Sequence, residues 1–112
     1  MWTARETMTD PSEKQWEQEA DLLGGLIVFP ATVAPVASIL TPNDFATPRH
    51  VALYSAVLAL PGGVEAFLDY VGDCDPATRD GFGGAVYLLS LPGRATVPEL
   101  VEPLAWHLRM AS

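Results

Sequence analysis

The chain has 112 residues, room for one small domain, and its 49% apolar and 18% charged residues disfavour intrinsic disorder. Fourteen acidic residues face six basic ones, and a net charge of -8 repels a phosphate backbone, which speaks against autonomous nucleic-acid binding. The one lysine, Lys14, follows Glu13, so a Gly-Lys-Ser/Thr nucleotide loop is excluded.

Cys74 stands alone and forms no internal disulfide, which favours a reducing compartment. The N-terminus from Met1 to Glu6 has no apolar core behind its arginine, and the apolar run from Leu22 to Val36 is broken by Pro30 and Pro35. A cytoplasmic protein with no membrane contact is expected.

Residues 1–9 are expected to form a flexible N-terminal tail and residues 10–112 one helical domain. The ten prolines mark helix starts, because a side-chain oxygen followed by a residue that needs no N–H satisfies an open first turn. Such pairs occur at Asp10-Pro11, Thr41-Pro42, Thr47-Pro48 and Asp75-Pro76, and Thr96-Val97-Pro98-Glu99 has capping-box spacing. After Asp10, the stripe Trp16, Ala20, Leu23 and Ile27 predicts a first helix that Pro30 stops. In the segment from Val33 to Leu40, Val36, Ile39 and Leu40 are candidates for burial. Val51, Tyr54, Val57 and Leu58 predict a helix from Pro48 to about Leu60, ended by Pro61-Gly62-Gly63. Shorter helices are expected around Phe67 to Val71 and from Gly83 to Leu91.

In the last helix Val97, Leu100, Val101, Leu104 and Leu108 are expected to share a face. Pro103 leaves open whether that helix kinks or begins near Glu102. No stretch alternates with period two, so the fold class is all-α, a compact bundle of about six short helices.

Chemistry-bearing constellations are few. Asp69, Asp73, Asp75 and Asp80 fail as a calcium loop, because Cys74 stands where the sharp turn requires glycine. His50 and His107 lack metal-ligand spacing and an adjacent nucleophile motif, and Asp73 and Asp75 oppose thiolate formation at Cys74. Gly24-Gly25 inside a good helix costs about 1 kcal/mol per glycine, which implies close approach of another backbone. No catalytic residue, cofactor or metal is expected. Read from these residues alone, the chain is a small helical interaction module.

One stretch is more specific. Leu40-Thr41-Pro42-Asn43-Asp44-Phe45-Ala46-Thr47-Pro48-Arg49-His50-Val51-Ala52-Leu53-Tyr54-Ser55-Ala56 closely resembles the L-x-P-x-D-F-x-x-P-x-H-x-x-[IL]-[FY]-x-A signature of the N-terminal domain of DnaB-type replicative DNA helicases. Glu17 to Ile27 resembles that domain's E-x-E-x-x-[VL]-L-G-[AG]-[LI]-[LI] helix, with Glu19, Leu23, Gly24 and Gly25 on its pattern. Gly83, Gly84, Tyr87 and Leu88 match its G-G-x-x-Y-L-x-x-L helix.

The resemblance implies that Pro42, Asp44, Phe45, Pro48, His50 and Tyr54 form a structural signature, with Phe45 turned inward and His50 held against the turn by hydrogen bonding. The segment between Leu60 and Gly81 departs from the family pattern. The family's domain continues into a subunit-pairing hairpin, then a linker and a motor, and the hairpin is expected to be truncated or absent here. The resemblance therefore does not imply ATPase activity. It implies a non-catalytic domain of DNA replication, like the helicase collar that contacts primase, loader and neighbouring subunits, with Trp106 and Leu108 as a partner surface and a weak homodimer as an option. The alternatives are a stand-alone phage- or plasmid-type regulator that redirects the host helicase or primase, and a small metal-dependent enzyme.

Overall fold

The computed structural model describes residues 11–60 and 62–111. The expected tail and the Asp10 cap lie outside the described residues. Seven α-helices are present among them: α1 (Pro11–Val28), α2 (Val33–Ala37), α3 (Pro48–Leu58), α4 (Gly63–Asp73), α5 (Pro76–Gly81), α6 (Ala85–Ser90) and α7 (Val101–Ala111). Short 3-10 turns occupy Pro30–Thr32, Pro42–Asp44, Pro92–Arg94 and Pro98–Leu100, and no described residue is in a strand. The bundle thus has seven short helices where about six were expected.

Proline explains much of this segmentation. Each 3-10 turn starts with one, as do α1, α3 and α5, because a first-turn position needs the fixed φ of proline and not its missing N–H. At α5 the Asp75 carboxylate accepts the Thr78 N–H at 2.8 Å, a completed cap. At the Pro42 turn the Asp44 carboxylate reaches back to the Thr41 N–H at 2.8 Å. Thr47 makes no cap bond to α3, since its side chain serves the Glu19 carboxylate.

The last helix requires two corrections. It does not start at the Thr96 box: Val97 precedes the Pro98–Leu100 turn, and α7 begins at Val101. Pro103 therefore falls in the first turn of α7, where no backbone bond is lost, which settles the choice between a kink and a late start. The 3-10 turn also shifts the register of the residues before it, so Val97 and Leu100 are exposed while Val101, Ala105 and Leu108 face the core. Likewise α6 starts at Ala85 and not at Gly83, because Gly83 (φ +107°) and Gly84 (φ +94°) occupy a backbone region closed to most side chains.

Helix α1 is the axis of the bundle. From Glu19 to Ile27 every residue except Asp21 is buried, and α1 is packed by α3, α4, α7 and the Pro92–Arg94 turn. Full burial of each of Leu22, Leu23 and Leu26 stabilises the fold by roughly 1.5 to 3 kcal/mol before entropy is counted. Gly24 and Gly25 make this crowding possible. A Cβ on Gly24 would stand 2.2 Å from the Leu91 carbonyl oxygen, and one on Gly25 would stand 2.8 Å from Val101 Cγ2. Two successive positions of one helix thus admit two different neighbours.

Candidate functional site: a buried carboxylate and imidazole with a half-buried phenol

The residues with the most chemistry meet where α1, α3 and α6 converge. The Pro42 turn sets the entry to α3: Phe45 is buried against the Tyr54 ring at 4.7 Å, and the Tyr54 hydroxyl donates to the Leu40 carbonyl at 2.9 Å. This fixes the chain reversal before Pro48 and sends His50 inward from the first turn of α3. Glu19 enters from α1 and Tyr87 from α6. Glu19 and His50 are both fully buried.

His50 Nδ1 lies 2.8 Å from Glu19 Oε1. A carboxylate only accepts, so Nδ1 carries the proton, and in the neutral ring Nε2 accepts from the Tyr87 hydroxyl, its close partner. The other carboxylate oxygen, Oε2, accepts the Ala46 N–H at 2.8 Å and the Gln15 side-chain amide at 3.1 Å. Burial alone pushes the Glu19 carboxyl up, but hydrogen bonds from His50, Ala46, Thr47 and Gln15 together outweigh it and hold the group below its ordinary 4.5. His50 is thus tied to the Pro42 turn indirectly: Glu19 holds the imidazole with one oxygen and the Ala46 amide with the other.

Aromatic rings enclose this network. Trp16 packs on both His50 and Tyr87, with centroids at 5.7 and 5.6 Å. Arg49 lies over Tyr87 at 5.4 Å and Arg94 over Trp16 at 5.5 Å, while Arg94 Nε also donates to Asp21 Oδ1 at 2.9 Å. A Cβ on Gly83 would meet both Tyr87 and Arg49, so this glycine gives the phenol and the guanidinium room.

A carboxylate orienting a histidine is half of a hydrolytic triad, but here the other ring nitrogen faces a phenol and both groups are sealed from water. Two surface grooves, of about 240 and 350 Å³, lie at the end of the bundle where α1 starts and α7 finishes. Neither is lined by Glu19 or His50. Among the described residues no group of three His, Cys, Asp or Glu could hold a metal ion, and no single helix is long and apolar enough to cross a membrane. The arrangement is built to lock a turn onto a helix.

The segment from Pro11 through the Pro42 turn and α3 into α4 carries most of this architecture, and it matches a known family. Residues 11–65 match the DnaB-like helicase N terminal domain. Over that segment the chain is similar to the DnaB-like helicase N-terminal domain family. The matched segment is a helicase-associated domain, and the family is that of the N-terminal domain and not of the motor. No curated protein and no solved structure matches the chain.

Glu19, Leu23, Gly24, Gly25, Pro42, Asp44, Phe45, Pro48, His50 and Tyr54 all lie within the DnaB-like segment, while Gly83, Gly84, Tyr87 and Leu88 lie beyond it. The hydrogen bond between His50 and Tyr87 therefore ties the family segment to the rest of the bundle. Of the expected partner surface, Trp106 is 49% exposed, but Leu108 is only 1% exposed and belongs to the core on the opposite side of α7. The periodic stripe that placed Leu108 with the core was the better guide. Sequence reasoning missed Glu19 as the partner of His50. The signal was present, since Glu19 sits three residues after Trp16 and four before Leu23, on the buried side of a helix where an unpaired carboxylate is costly.

Proposed function

We propose that the chain is a non-catalytic docking domain of the DNA replication machinery, folded as one unit over residues 10–112, which binds a replicative helicase collar, a primase or a helicase loader in the cytoplasm. The match of residues 11–65 to the helicase N-terminal domain family carries this reading. Three further observations support it. Glu19 and His50, the carboxylate and imidazole that could pair for acid–base chemistry, are buried and satisfy each other. The Tyr87 link and the packing of α7 on α1 join the matched segment to the C-terminal part of the bundle. A charge of -8 suits basic protein surfaces and opposes DNA.

Isothermal calorimetry tests the proposal. The chain is titrated into a purified helicase N-terminal collar and, separately, into a primase C-terminal domain, a helicase loader and a DNA duplex. Binding to one of the three proteins at micromolar concentration, with no heat from DNA, is expected. Silence from all three proteins overturns the reading.

A further inference from the structure

Helix α7 is apolar on both sides. Val101, Ala105 and Leu108 face the core, yet Trp106 is 49% and Met110 83% exposed, one turn apart on the opposite face. Pro103, one turn before Trp106, is exposed beside them, and Leu100, just before the helix, is 54% exposed. A large aromatic and a flexible thioether held in water on a well-packed helix are the side chains that protein interfaces concentrate. Exposed Glu99 and Glu102 flank this apolar strip, and no hydrogen bond or ion pair engages either of them among the described residues. Arg109, the cation on the helix, donates to the Ile39 carbonyl at 2.7 Å and is thereby turned toward the body of the bundle. A second copy of the chain would bring another charge of -8 against this acidic-rimmed strip, whereas a cationic partner is attracted by it.

We infer that the outer face of α7, built on Trp106 and Met110 and rimmed by Glu99 and Glu102, is a docking surface for a basic amphipathic helix of another protein. This rests on the docking-domain reading and names its contact surface. The partner helix lays an apolar stripe on Trp106 and Met110 and sets lysine or arginine against the two glutamates.

The test uses the full chain, labelled for NMR, and a synthetic peptide of about 18 residues with leucines on one helical face and lysines elsewhere, beside a copy carrying glutamate in place of lysine. The lysine peptide is expected to shift the Trp106 indole N–H and the α7 amides, and the glutamate peptide to shift neither. Trp106→Ala is expected to weaken binding about tenfold or more, as truncation of an anchoring aromatic does. Glu99→Gln with Glu102→Gln is expected to weaken it about threefold and to reduce its salt dependence. Both changes are at exposed positions, and an unchanged thermal midpoint verifies the fold. Equal binding of the two peptides, shifts centred on Glu65, Asp69 and Asp73 of α4, indifference to Trp106→Ala, or dimerisation through Trp106 in sedimentation would each overturn the inference. If the collar, primase domain or loader binds the Trp106→Ala chain as tightly as the native one, the surface fails while the function stands. If none of them binds but the lysine peptide does, the function fails while the surface stands.

Discussion

Glu19 Oε1 and His50 Nδ1 meet at 2.8 Å in a site from which water is excluded, joining α1 to the start of α3 across 31 residues of chain. A buried pair of this kind contributes little net stability over an apolar replacement, but breaking it leaves one polar group stranded. Here the pair also fixes geometry, since the second Glu19 oxygen holds the Ala46 amide and the second His50 nitrogen holds the Tyr87 hydroxyl. One carboxylate thus coordinates a turn, a helix start and a distant helix.

Removal of either partner is therefore expected to be severe. Glu19→Ala and His50→Ala should each destabilise the chain by about 3 to 5 kcal/mol, and Tyr87→Phe, which strands only Nε2, by about 1 to 3 kcal/mol. Urea denaturation measures all three. The effects should be less than additive, because each variant disrupts the same network.

The pH dependence follows from the direction of the Glu19 shift. Its carboxyl is held below the ordinary 4.5 in the folded chain, so between the folded and unfolded values the unfolded state binds more protons. The stabilisation is fully present above about pH 4.5 and is lost as the pH falls through the folded value. Glu19→Gln, which cannot titrate, should be less stable at neutral pH and should approach the native chain under acid. A gap that stays constant from neutral pH down to acid denaturation contradicts this assignment.

The three tyrosines are expected to ionise above the ordinary 10.0. Burial raises all of them: Tyr54 is pushed up to about 12, with the Asp44 charge adding to it, Tyr70 is raised also by Cys74, and Tyr87 remains raised despite Arg49 and Arg94. An absorbance titration at the phenolate band should place the midpoint of the folded chain above the ordinary 10.0, with Tyr54 last. Because the unfolded chain releases these protons first, stability declines as the pH rises above about 10.

Two glycines separate packing from propensity. Gly24→Ala places a methyl group against the Leu91 backbone and should cost about 1 to 3 kcal/mol through overpacking. Gly72→Ala, inside α4 with nothing within 4 Å of the new methyl, should stabilise by about 0.4 to 1 kcal/mol. Thermal denaturation distinguishes the signs.

Much of the helical order was legible because proline and glycine report backbone requirements directly. Asp75-Pro76, Thr47-Pro48 and Pro42 with Asp44 lie at element starts in the structure, although Thr47 serves Glu19 instead of a cap. The end of the chain was less legible. Thr96 had the right spacing for a capping box, but spacing alone does not distinguish an α-helical first turn from a 3-10 turn, and that difference moved Val97 and Leu100 out of the core. Leu108 is not part of the partner surface expected with Trp106, because two residues along a helix turn a side chain by about 200° and so place it on the core side. The polar network was half legible: His50 stood out by its residue type, while Glu19 required noticing a carboxylate at a core position.

Amide hydrogen exchange of the full chain, alone and with an equimolar helicase collar, primase C-terminal domain or helicase loader, tests the docking claim most directly. In the free chain the amides of α1 and α3 around Glu19 and His50 should exchange slowest, and one of the three partners should add protection to a contiguous outer surface that includes α7. An exchange pattern unchanged by all three partners would contradict the claim that this fold exists to bind them.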